Sequence, residues 1–323
     1  MQITTTRWLD KTKVDLSSIE SLFLAEHPDE LSDTSASYIN WKIEKFFSEN
    51  KKSVFNGKEI EYNYYTYSVD RIPIGSDVDE DITVTKNGFV IPYLSNGRIR
   101  YIINRNAEAL TILRKMLFYK GKGEITKNNP KANEDLFVWL INKIYNRENI
   151  FESESDVLDK LCIDSIRGFK GDTEDFLTKV SASGETVMNI ISSLSFLIES
   201  KYLNQITLDI TYRNHKNIEV TFSSKDTIST SIDRYLGELA ESPKEEIYST
   251  IFLLLYTEIL PIIIQNYQIE VEGNQWGQSK CVEFLQKVAD ELSEKVRIRI
   301  EDLMSRPEQL KLALDSSMVV NNE

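Results

Sequence analysis

The side chains that could do chemistry are few and scattered. Carboxylates are densest in Ile74-Gly75-Ser76-Asp77-Val78-Asp79-Glu80-Asp81. Clustered carboxylates are what a hard divalent cation binds, and Asp77 and Asp79 share one face of an extended chain, with Asp81 close behind. A Mg²⁺ ion there would suit a metal-dependent nuclease or phosphodiesterase. The same octet also reads as a solvated loop, and it lacks the spacing of a calcium loop.

Imidazoles and thiols offer less. The chain has two histidines, His27 and His215, and two cysteines, Cys162 and Cys281, none close to another in sequence. A structural zinc would need most of them to converge from distant places, and a disulfide framework is not expected. Neither cysteine has a Cys-x-x-Cys partner, so both read as buried structural thiols. His215 sits in Arg213-Asn214-His215-Lys216-Asn217, a basic tip where Arg213, His215 and Lys216 could hold an anion. A general base there would need an orienting partner, which the sequence does not name, and the segment equally reads as an exposed turn.

Arg98, Arg100 and Arg105 flank a strand beside Tyr93 and Tyr101. Cations interleaved with aromatics on a sheet can hold single-stranded nucleic acid, but a local charge network with nearby acids is the competing reading. Glu199-Ser200-Lys201 has the Glu-x-Lys form of a nuclease core, yet it ends a helical pattern and Asp209 follows rather than precedes it. The Gly-Lys clusters at 121–123 and 168–171 fit no phosphate-loop spacing and read as turns.

These residues sit in a chain of 323 residues with 41% hydrophobic and 28% charged content and a net charge of −13. That is ample for a globular core, and it argues against a dedicated non-specific DNA binder, whose binding face is basic. Met1–Asp10 lacks the apolar segment of a signal peptide. The most apolar run, 251–264, contains Glu258 and Pro261 and is shorter than a membrane span needs, so it reads as a buried helix. The expected setting is the cytoplasm.

Elements that position such residues can be read from pattern. Asn-Gly occurs at 56–57, 87–88 and 96–97, and this dipeptide is the strongest short hairpin signal. Together the last two predict a small meander with strands at 81–86, 89–94 and 98–103. Ideal two-residue loops at both turns would make residues 91 and 93 bond to both neighbours, so a longer loop or a bulge near Pro92 is expected. Ile39, Ile43 and Phe46/Phe47 predict a helix over 38–49. Asn106 and Gly121 bracket a second helix, and Leu136, Phe137, Leu140, Ile141 and Ile144 mark a third over about 131–146.

A charged, aperiodic stretch at 147–156 divides the chain into an N-terminal α+β part, 1–150, and a C-terminal part, 151–323. The latter reads β-β-α-β-β, with strands at 163–169, 176–181, 206–212 and 218–222 and a helix at 185–200, followed by long helices. Ser242-Pro243-Lys244-Glu245 reads as a capping box that starts a helix over 243–265, a candidate oligomer contact. A final helix spans about 277–305. The fold class is α+β. With no nucleophile, zinc or phosphate-loop motif, the expectation is a non-catalytic binding or assembly subunit without cofactor. Lys/Asn/Ile-rich composition suggests a bacterial or phage protein, of the kind that serves anti-phage or mobile-element systems. Its partners would be other protein subunits. An acidic inhibitor of a nucleic-acid enzyme is the remaining alternative.

Overall fold

The computed structural model describes residues 2–12, 15–27, 36–73, 83–121, 123–152, 159–172, 179–183 and 202–304. The architecture is mixed: a large antiparallel sheet carries five helices among the described residues, the two longest of them last in the chain.

Strand β1 (Ile3–Asp10) joins the two halves of this sheet. Its first residues pair with β14 (Thr227–Ser231), as in Ile3↔Thr230. Its last ones pair with β7 (Arg98–Ile103), as in Arg7↔Ile102, and with β8 (Ile125–Lys127). Beyond β7 come β6 (Val84–Ser95), then the hairpin of β4 (Lys58–Tyr62) and β3 (Lys51–Phe55). β6 also pairs β5 (Tyr65–Pro73), which in turn pairs β2 (Ala36–Lys45). On the other side, β14 leads to β13 (His215–Ser223), β12 (Tyr202–Tyr212), β10 (Lys160–Asp172) and β11 (Lys179–Ser183). β9 (Ile150–Glu152) and β15 (Leu236–Gly237) are short additions to β10 and β13.

A pleated strand sends alternate side chains to opposite faces. Val90, Ile99, Tyr101 and Ile103 face α1 (Leu16–Phe23) and α2 (Ala109–Met116) in one core. Ile91, Tyr93 and Ile102 face the other core, built by α3 (Glu134–Tyr145), α4 (Lys244–Glu272) and the start of α5 (Gln278–Met304). Both faces are thus covered over Phe89–Tyr93 of β6 and Tyr101–Ile103 of β7, where the sequences run continuously apolar. In the C-terminal half Ile206, Leu208, Ile210 and Tyr212 are all buried, as their alternation predicts.

Several expected elements are corrected. Residues 38–49 open as strand β2, not helix. A bulge between Ile39 and Lys42, with Asn40 at φ 55°, shifts the register by one. Ala36 and Tyr38 face the core before it, Trp41 and Ile43 after it, so the spacing across the bulge mimics a helix. Asn87-Gly88 is not a turn: β6 runs straight through it and β5 supplies the meander's first strand. The bonding conflict therefore never arises, and β6 passes Pro92 without a bulge. Pro92 lies where the neighbour of β6 changes from β5 to β4, and its carbonyl accepts from Asn63 N.

Asn56-Gly57 and Asn96-Gly97 are true turns, with φ of 49° and 67°, and 53° and 66°. In α2 the left-handed stop is Phe118, not Gly121, and Glu108 rather than Asn106 stands at the N-cap. The Ser242 capping box does not form, because Pro243 is the N-cap and no side chain caps the start. The expected helix at 185–200 and the last four residues of the stretch at 147–156 lie outside the described residues.

Gly88 is required by packing. A Cβ there would sit 2.3 Å from Asn104 Oδ1 and 2.6 Å from the buried Tyr67 ring. Gly88→Ala is expected to cost roughly 1–3 kcal/mol of stability in urea denaturation by overpacking. Gly97→Ala, with open space around it, costs about 1–2 kcal/mol through its left-handed backbone alone. A Gly88→Ala protein as stable as the unsubstituted chain would contradict this packing.

Candidate functional site

Helix α4 is the only described helix long and apolar enough to cross a membrane, but 78% of its apolar window is buried inside the subunit. It is a core helix. Pro261 has no N–H to give Thr257, and its ring crowds that carbonyl. Just before the proline the helix widens into a π turn, Leu255–Ile259, in which Leu260 N–H reaches Leu255 O. Such turns recur at functional sites.

Glu258 projects from this turn and is only 1% exposed. Its Oε1 accepts the Asn56 backbone N–H from the tip of the β3–β4 hairpin. Its Oε2 lies 3.2 Å from Arg213 Nη1, a charge contact without hydrogen-bond geometry. Burial pushes the Glu258 carboxyl above its ordinary range, against the pull of Asn56 N–H and Arg213. Arg213 also donates to Asp159 Oδ2 at 2.5 Å. The π turn is thereby gripped by two hairpin tips, Asn56 and Arg213, both with positive φ.

Beside this turn lies a cavity of about 320 Å³, lined by Arg7, Lys58, Tyr93, Arg100, Asn128 and Tyr256 among others. Register brings its cations together. Arg100 stands opposite Tyr93 on β6 and opposite Leu9 on β1, so Arg7, two residues along β1, shares that face. Arg7 Nε donates to Asn128 O at 2.7 Å and Nη1 to Tyr256 O at 2.8 Å, with the guanidinium 5.3 Å from the Tyr256 ring centroid. The Tyr256 hydroxyl is within 3.1 Å of Thr5 Oγ1, which fixes the ring. Arg100 Nη1 donates to Ser95 O at 3.0 Å.

The charges at this cavity are unbalanced. The chain has 51 acidic and 38 basic residues, yet no carboxylate lines the cavity. Among the described residues Arg7, Lys58 and Arg100 form no ion pair. Burial lowers the Arg100 pKa, and the neighbouring charges of Arg7 and Arg98 lower it further. Tyr93 is 1% exposed, and its hydroxyl has no hydrogen-bond partner among the described residues. Two guanidiniums, a tyrosine hydroxyl and amide side chains on one wall are chemistry that suits an anion; Arg matches the planar, bidentate geometry of phosphate or carboxylate oxygens.

A slightly larger cavity, about 360 Å³, lies between α3, the end of α4 and α5. Its charges are mostly paired: Lys143 with Glu270 at 2.5 Å and Glu148 at 2.8 Å, and Lys280 with Glu283 at 2.7 Å. Lys287 donates to Asn146 Oδ1 at 2.7 Å. It has less to offer a charged ligand.

Of the residues singled out in sequence, Arg100 enters the anion cavity and Arg213 stands behind it on Glu258. Arg98 is exposed at the edge of β7. Arg105 lies elsewhere, donating to Asn104 O and Asn87 O and stacking over Tyr67. His215 is buried, not an exposed turn residue. Its Nδ1 lies 2.6 Å from the Tyr235 hydroxyl and Nε2 3.7 Å from Glu238, and burial lowers its pKa. Lys216 is exposed opposite Leu236.

His27 is stacked between Trp41 and Phe118. Burial pushes the Cys162 thiol up to about 11 and raises that of Cys281. Asp209, placed by alternation on the outer face, is 6% exposed there and saturated by Arg167, Arg234 and Ser165. Asp77, Asp79 and Asp81, like Glu199-Ser200-Lys201, lie outside the described residues. Among the described residues no group of three or more His, Cys, Asp or Glu is placed to hold a metal.

Sequence reasoning missed Arg7 and the role of Glu258. Arg7 is a lone cation in a threonine-rich strand, and its partners are 121 and 249 residues away. Glu258 left one signal, a single carboxylate in an apolar run three residues before a proline. The chain matches no family model and no curated protein, so its functional reading rests on this geometry.

Proposed function

We propose that this protein is a non-catalytic binding subunit whose ligand is an anion held between Arg7 and Arg100. The observation that carries this reading is the pair of half-buried guanidiniums, Arg7 and Arg100, without carboxylate partners among the described residues, around a cavity that also holds an unpartnered tyrosine hydroxyl. Burying an unpaired charge is costly. An anion that completes the hydrogen bonds of two guanidiniums offsets that cost. Work within a larger intracellular assembly of bacterial or phage origin fits the exposed apolar residues Val296, Ile300 and Leu303, one stripe along α5.

The test is calorimetric titration with inorganic phosphate. The intact protein is expected to bind it saturably. Arg100→Gln is expected to bind about tenfold or more weakly, since a hydrogen bond to a charged group is worth about 1.5–3 kcal/mol. Equal affinity in the two proteins, or no binding of phosphate or of any phosphate ester, would remove the proposal.

A further inference from the structure

We infer that the anion is the phosphomonoester of a nucleotide, free or at the end of a strand. This inference rests on the anion-binding reading above and names its ligand class.

Size comes first. A tetrahedral oxyanion occupies about the space of two waters, roughly 60 Å³. The cavity holds about 320 Å³, within the usual range for small organic ligands. The two guanidiniums engage one part of such a ligand, and most of the space is left for an uncharged body.

The rest of the wall describes that body. It includes Phe55, Tyr93 and Tyr256, the asparagines 56, 96 and 128, and Ser95 and Thr257. Amides and hydroxyls set among aromatic rings suit a heterocycle and a sugar, whose edges carry both donors and acceptors. Asparagine can satisfy a donor and an acceptor of one base edge at once. A lipid tail would offer the hydroxyls and amides of this wall no hydrogen bonds in place of water. A small carboxylic acid would leave most of the cavity empty.

Charge sets the number of phosphates. A phosphomonoester carries about −1.5 to −2 at neutral pH. Arg7 and Arg100 together carry +2, and Lys58 is exposed beside them. A triphosphate exceeds this, and its excess is normally shared with a divalent cation that carboxylates help to seat. None lines this cavity.

The second observation is a neutral group beside the same two guanidiniums, Arg7 and Arg100. The Tyr93 hydroxyl is buried and unpartnered while its ring lines the cavity. It is positioned as a neutral donor to a phosphate oxygen between two guanidiniums.

The experiment compares five probes by calorimetry on the full chain: inorganic phosphate, ribose 5-phosphate, the four nucleoside 5′-monophosphates, the corresponding triphosphates without metal, and a 5′-phosphorylated dinucleotide. At least one nucleoside monophosphate is expected to bind tenfold or more tightly than inorganic phosphate or ribose 5-phosphate. Asn128→Leu is expected to shrink that ratio severalfold, and Tyr93→Phe to weaken every phosphate probe; circular dichroism confirms that both variants are folded. If inorganic phosphate binds as tightly as any nucleotide, the nucleotide inference fails while the anion reading stands. If no probe binds, both fail. A triphosphate that binds more tightly than its monophosphate overturns the charge match. A dinucleotide that outcompetes every mononucleotide supports the phosphomonoester chemistry and identifies a strand end as its source.

Discussion

Leu254→Asp is expected to abolish soluble, folded protein. Leu254 is 2% exposed, and Phe252, Leu253 and Leu255 around it are all buried. Helix α4 therefore presents no free side at this point, and a carboxylate introduced there is cut off from water. The loss combines the burial of a large apolar side chain, worth about 1.5–3 kcal/mol, with the much larger cost of an unpaired buried charge. Together these exceed most of a domain's net stability. Phe252→Ala is the measurable companion: it should remain folded at low temperature and lose about 3–5 kcal/mol in urea denaturation. A Leu254→Asp protein that stays folded and only changes its oligomeric state would instead assign this stretch to a subunit interface.

Arg213→Ala is expected to cost roughly 3 kcal/mol, the lower end for stranding a buried charge, because Glu258 keeps the Asn56 N–H. The effect should depend on pH. Glu258 already has a folded-state pKa above its ordinary 4.5, and loss of Arg213 raises it further. Between 4.5 and the raised value the native state holds more protons than the unfolded state, so stability falls as pH rises through that window. The deficit of Arg213→Ala should thus be smallest near the ordinary carboxylate range and largest at neutral pH. Glu258→Gln in the same protein should recover most of the loss and flatten the slope. A deficit that is independent of pH would show that Arg213 acts through Asp159 rather than Glu258.

Where one face was buried and the chain was regular, the fold was legible in sequence. Ile206, Leu208, Ile210 and Tyr212 declared strand β12 by alternation, and Leu136, Phe137, Leu140 and Ile141 declared α3. The failures have local causes. A bulge at Asn40 turned a strand pattern into an apparent helix. Asn87-Gly88 carried a turn signature, but its glycine serves the close approach of Tyr67 and Asn104, a packing demand that only tertiary structure reveals. Of the proposed site, Arg100 was singled out and Tyr93 was named beside it, from their place among Arg98, Arg105 and Tyr101. Arg7 was invisible because a β-sheet assembles its faces from distant strands. Glu258 looked like an interruption in an apolar helix, and the π turn that buries it follows from Pro261, whose ring the sequence did register.

The most direct test of the anion site is a crystal soaked in selenate, a phosphate-like anion with a strong anomalous signal. The proposed reading places an anomalous peak in the cavity within hydrogen-bond reach of both the Arg7 and Arg100 guanidiniums and the Tyr93 hydroxyl, and predicts that Arg7→Gln loses it. A crystal in which this cavity is open to solvent but empty, with selenate ordered elsewhere, would contradict it.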